Sequence, residues 1–143
     1  MKRRALFTFL VSLLLLSTAA SAQLERFVGR WEIRKSPTTG KVNLTVNIVQ
    51  SGDTISGTVT FLNPDGTTTQ LPIAHTEFRG TTLTKSLIFH TQFKGTTLDF
   101  QTLDHDAIMH WSLTLTNARS GFLRGDKGEL LIEEKVRKKR QLS

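Results

Sequence analysis

Three of the chain's four histidines, His75, His90 and His105, recur at intervals of fifteen residues. Imidazoles in such a series raise two chemistries, a shared metal ion and a general base. The residues around them repeat as well: His75 to Leu83 reads HTEFRGTTL, and His90 to Leu98 reads HTQFKGTTL. Two-residue turns at Gly80-Thr81 and Gly95-Thr96, glycine first as a II′ turn requires, would leave one continuous strand from Thr82 to Lys94 between them. In that register His75 faces Ser86, and His90 lies four residues further along, roughly 13 Å away at about 3.4 Å per residue. That is too far for a shared ion. His105 sits in Asp104-His105-Asp106, which reads as a turn, although its register could bring it beside Ser86. With no third ligand and no orienting acid fixed, the reading assigns these histidines no metal and no catalytic role.

Other chemistries fall away quickly. The chain has no cysteine, which excludes thiol nucleophiles, thiolate metal sites, iron–sulfur clusters and disulfides. It has no G-x-S-x-G elbow, phosphate-binding glycine loop or H-E-x-x-H helix. Carboxylates are few and fall mainly in turns or near the ends, so no acid–base pair can be nominated. The expectation is a protein that is not an enzyme and holds no cofactor.

The elements that would carry any site are strands. Val42, Leu44, Val46 and Ile48 alternate with Asn43, Thr45 and Asn47. Ile55, Gly57, Val59 and Phe61 repeat the pattern, as do Met109, Trp111, Leu113 and Leu115. Period-two alternation marks half-buried strands. Turn residues cluster at Ser36–Gly40, Ser51–Asp53, Asn63–Gly66 and Gly125–Gly128. Leu83, Leu87, Phe89 and Phe93 share a face with Lys85, whereas Leu71 and Ile73 have the opposite parity to Phe78. A bulge near Ala74 or His75 would reconcile the two. Short strands at this spacing indicate one all-β domain, a barrel or a sandwich.

The amino terminus reads MKRRALFTFLVSLLLLSTAASA, a basic start, an apolar run and a small-residue Ala20-Ser21-Ala22. Residues 1–22 are therefore expected to be a cleaved signal peptide, and the protein to be exported, periplasmic or extracellular. Removing Lys2, Arg3 and Arg4 leaves 16 basic residues of the 19 against 12 acidic ones. Five of these basic residues fall in KVRKKR, Lys135 to Arg140. The reading is a domain over 23–136 followed by a solvated basic tail over 137–143, with no nucleic-acid partner and no stable membrane insertion.

The stretch FVGRW, Phe27 to Trp31, opens the first strand and resembles the glycine-x-tryptophan motif of the calycin superfamily, which includes lipocalins, fatty-acid-binding proteins and avidins. The following GDTISGTVTF and the hairpin meander resemble small exported bacterial lipocalin-like domains. The resemblance extends over about Phe27 to Val136. It implies an antiparallel up-and-down barrel of about eight strands, in which Trp31 closes one end beneath a late arginine, for which Arg124 and Arg137 are candidates.

The inward face then offers Val46, Phe61, Phe89, Phe93, Phe100, Met109 and Trp111, which either fill the barrel or line a pocket for one small ligand. Lys85 is the cation on that face and would need an acid such as Asp104 or Asp106, a ligand anion, or a rim position from which to reach water. Two functions follow. One is a binding module carrying a small apolar ligand in the interior. The other is a protein-interaction barrel with a filled core, such as a protease inhibitor or envelope accessory protein. Only Gln23 to Arg26 precede FVGRW, a short arm for an inhibitor. Interior volume decides between carriage and a filled core.

Overall fold

The structure, a computed structural model, describes residues 22–33, 42–105, 107–128 and 130–140. The signal peptide expected over residues 1–22, all but Ala22, and the turn expected at Ser36–Gly40 lie outside them. After one helical turn at 22–25, eight strands follow. They are β1 (Gly29–Ile33), β2 (Leu44–Ser51), β3 (Thr54–Leu62), β4 (Thr68–Lys85), β5 (Gln92–Asp104), β6 (Ala107–Leu115), β7 (Ser120–Lys127) and β8 (Leu130–Lys138). Each pairs antiparallel with the next, and β8 returns to β1 through Trp31↔Lys138 and Ile33↔Val136, closing an up-and-down barrel. Closure pairs both edges of the eight-strand wall, while β4 beyond Pro72 pairs on one side only, with β5.

The alternation read from sequence sets the inner face. Val46 lies opposite Val59, Leu98 opposite Leu113, and Phe100 opposite Trp111, all buried. The small residues on β7 make room for the large ones: a Cβ on Gly125 would stand 2.6 Å from the Trp111 ring, closer than side chains pack. The bulge expected near Ala74 and His75 is present, as a register shift between Ala74 and Glu77.

Two expectations are corrected. Gly80-Thr81 and Gly95-Thr96 are not turns, and Thr82 to Lys94 is not one strand. The two copies of the repeat pair with each other, Phe78 with Leu98 and Thr82 with Gly95, and the chain reverses between Lys85 and Gln92. His75 therefore does not face Ser86. Gly80, at φ 66°, sits at a second register shift. A left-handed glycine serves a bulge as readily as a turn, and the longer ladder leaves fewer backbone groups unpaired.

The second correction concerns the basic run. It does not begin a separate tail at residue 137, because β8 continues to Lys138 and Lys139 N–H donates to the Arg30 carbonyl at 2.8 Å. Ile132, Glu134, Val136 and Lys138 alternate on the inner face. Charges on both faces conceal that pattern in the sequence.

Candidate functional site

One end of the barrel is shut by an interlocked set of side chains. The turn at 22–25 lays Phe27 across the opening, where it is fully buried and meets Phe78 edge-on at 6.1 Å. Trp31, also fully buried, donates its Nε1–H to the Phe27 carbonyl at 2.8 Å. The cation above it is Lys138, not Arg124 or Arg137. Lys138 Nζ lies 5.0 Å from the Trp31 ring and donates to the Arg26 carbonyl at 2.9 Å. Burial, followed by the charges of Arg119 and Arg26, lowers the Lys138 pKa from its ordinary value. Arg124 and Arg137 point outward because each has the opposite strand parity to an inner-face neighbour, Leu123 and Val136.

Of the residues expected inside, Phe61, Phe100, Met109 and Trp111 are on the inner face. Trp111 sits between Phe61 at 5.9 Å and Phe100 at 6.2 Å, and donates its Nε1–H to Thr102 Oγ1 at 2.9 Å. Val59, Leu113 and Leu123 are 0% exposed, Val46 and Phe100 1%, and Trp111 2%. These residues come from different walls, and a void large enough for water would leave accessible area on them. From the Trp31 end through Trp111 the interior is packed. Phe61, Ile73 and Ile132, only partly buried, pack against this core.

Lys85, Phe89 and Phe93 are not inside, which corrects their assignment. β4 and β5 run on together past the end of β6, and this extension folds across the outer wall as a flap. A Cβ on Gly95 would lie 1.7 Å from the Leu115 carbonyl oxygen, so only glycine lets the backbone cross there. A row of hydroxyls, Thr82 to Thr97 at 2.5 Å and Thr97 to Thr114 at 2.8 Å, fixes the base of the flap. Phe93 then stacks on Phe122 of β7 at 4.3 Å, and Phe89 meets the same ring edge-on at 6.3 Å. At the tip, Leu87 N–H donates to both Glu133 oxygens, at 2.9 and 3.2 Å. Lys135 Nζ lies 5.1 Å from the Phe89 ring. The face turned away from the barrel exposes Leu83, Lys85 and Leu87.

Sequence reading missed Phe122 and Glu133 as the flap's anchors. Its signal was parity: if Gly95 is strand rather than turn, Phe93 and Phe100 fall on opposite faces. In place of Lys85, the inner face carries Lys138 at the closed end and an acid, half-buried Glu134 opposite Leu123, whose pKa is raised by burial.

Beside the flap lies a groove of about 780 Å³, bordered by Phe93, Ser120, Lys135, Arg137 and Lys139, with Glu32 as its acid. Glu32 is already paired with Arg30 at 2.9 Å. A smaller groove of about 380 Å³ on the outer wall of β4–β7 holds His75, His110, Arg124, Asp126 and the ion pair of Arg79 with Asp99. Burial raises the Asp99 pKa, with Arg79 opposing it. His75, His90 and His105 occupy the β4 bulge, the flap tip and the β5–β6 turn, all with φ between 51° and 53°. Among the described residues no three acids, histidines or cysteines are grouped to hold a metal ion. No helix among them is long and apolar enough to cross a membrane. Comparison with protein-family models, curated proteins and solved structures finds no match to this chain.

Proposed function

We propose that this chain is an exported, calycin-like barrel that works as a non-catalytic interaction module, using its outer surface rather than carrying a ligand inside. The observation that carries this reading is the packing of the inner face, with residues from several walls 0–2% exposed. A carrier of the same architecture needs a cavity of several hundred Å³. The buried Trp31 at the closed end supports the calycin likeness, although the cation above it is Lys138 where that resemblance implies an arginine. The flap and the basic groove beside it supply the working surface.

Native mass spectrometry of the processed protein, recovered by its own export route, tests the reading. The bare chain mass is expected. A one-to-one adduct of a few hundred daltons that persists when the exposed flap residues are changed (Leu87→Asn with Ile88→Asn) would mean an interior cargo and overturn it.

A further inference from the structure

The flap has two faces with different fates. One is spent on the barrel: Phe89 and Phe93 cover Phe122, and Leu87 N–H is held by Glu133. The other presents large aliphatic side chains to solvent, Leu83 at 62%, Leu87 at 60% and Ile88 at 54% exposure. Single exposed aliphatics are ordinary, but three within one short hairpin form a patch of the kind that marks interaction sites. Lysines stand among them. Lys94 is the cross-strand partner of Leu83, and Lys85 shares the face of Leu83 and precedes exposed Leu87 by two residues. The basic groove continues this charge along β8 through Lys135, Arg137 and Lys139.

The nearby acids do not neutralise it. Glu133 is buried beneath the flap tip and Glu32 is paired with Arg30. Asp65 lies in the β3–β4 turn, Asp104 ends β5 and Asp126 stands near the end of β7, all at the other end of the barrel. Asp53 belongs to the β2–β3 turn, whereas the flap lies over β7 and β8.

We propose that this surface docks the protein on an anionic lipid membrane, with Leu83, Leu87 and Ile88 entering the interface and the surrounding lysines and arginines meeting phosphate headgroups. This deepens the interaction-module reading by naming its partner, and rests on it. Charge complementarity selects the occupant. A second copy of the chain would bring Lys85 and Lys94 against their own kind, and a soluble polyanion would leave the aliphatic side chains in water. A lipid surface satisfies both at once, as interfacial elements do when a few apolar residues insert beside basic ones. Three aliphatic residues support docking at the interface and not a membrane span.

Flotation of the processed chain with vesicles of phosphatidylcholine, alone or mixed with phosphatidylglycerol, tests the proposal. Binding is expected only to the mixed vesicles and should weaken as salt rises. Lys85→Gln with Lys94→Gln should weaken it about thirtyfold, at the usual contribution of a basic residue near an anionic surface. Leu87→Asn with Ile88→Asn should abolish retention while the circular dichroism spectrum is unchanged, since both side chains are exposed. No binding to the mixed vesicles, equal binding to neutral ones, or indifference to both double variants would overturn the proposal. So would a dimer in gel filtration that ignores vesicles, which would assign the patch to a second copy. Any of these results leaves the native mass measurement, and with it the filled-barrel reading, standing.

Discussion

Adjacent carboxylates on β8 meet opposite surroundings. Glu133 faces outward yet is 2% exposed, because the flap tip covers it and supplies the Leu87 N–H. Glu134 faces inward, and burial there raises its pKa above the ordinary 4.5. A carboxyl whose pKa is raised on folding favours the fold while protonated. Its contribution is present in full below about 4.5, is lost as pH rises through the raised value, and stays lost at neutrality. Glu134→Gln should therefore unfold at a higher temperature than the parent at neutral pH and at the same temperature near pH 3, where Glu134 is protonated in the folded and the unfolded chain alike. Thermal unfolding at the two pH values reads the difference, and a gap that does not change with pH would refute the assignment. The histidines teach a related lesson. Their spacing suggests ligands, yet all three sit where the backbone turns left-handed, a conformation in which histidine is several-fold enriched. Their regularity tracks the bends of the chain.

At the scale of elements, the flap depends on two glycines that the repeat supplies at equivalent positions. Gly80 provides a left-handed φ, and Gly95 a close approach to Leu115. The two should respond differently to alanine. Gly80→Ala has open space around its Cβ and should cost about 1 kcal/mol of conformational strain. Gly95→Ala meets backbone that cannot yield and should cost about 2–4 kcal/mol, with faster amide exchange through 83–94 as the flap lifts. Urea unfolding compares them, and equal costs would mean that Gly95 is not the crossing point. Here lies the limit of what was legible beforehand. Gly-Thr in a β context serves a II′ turn and a glycine bulge alike, so local chemistry does not choose between them. The choice was made by Phe122 and Glu133, contributed from later strands. The strands that alternate cleanly, such as Met109 to Leu115, needed no such help and were readable directly.

Across the whole molecule, the alternating pattern suffices for one all-β domain, barrel or sandwich, and the closed eight-strand barrel is an expectation from the FVGRW resemblance; the strand that closes it is the least readable because charge masks its period. Lys138 therefore reads in the sequence as solvated tail, although it covers Trp31 and ties β8 to the Arg26 carbonyl. Lys138→Ala should cost about 1–3 kcal/mol through the lost ring contact and hydrogen bond, while Arg137→Ala, on the outer face, should cost under about 0.5 kcal/mol. Chemical denaturation decides between them, and similar values for the two would show that the closed end is not locked by Lys138. This lock has a consequence in time as well as in energy. Its two ends are 112 residues apart in the chain, whereas every other strand pairing described joins consecutive strands. Hairpins can zip one after another at small entropic cost, but the seam between β1 and β8 returns nothing until the whole meander has formed. It is the last ladder to close, and until then two strand edges stand open to other chains. The race between that closure and edge-to-edge association sets how much newly made protein reaches the folded state, so substitutions at the seam should alter yield more than they alter the finished fold.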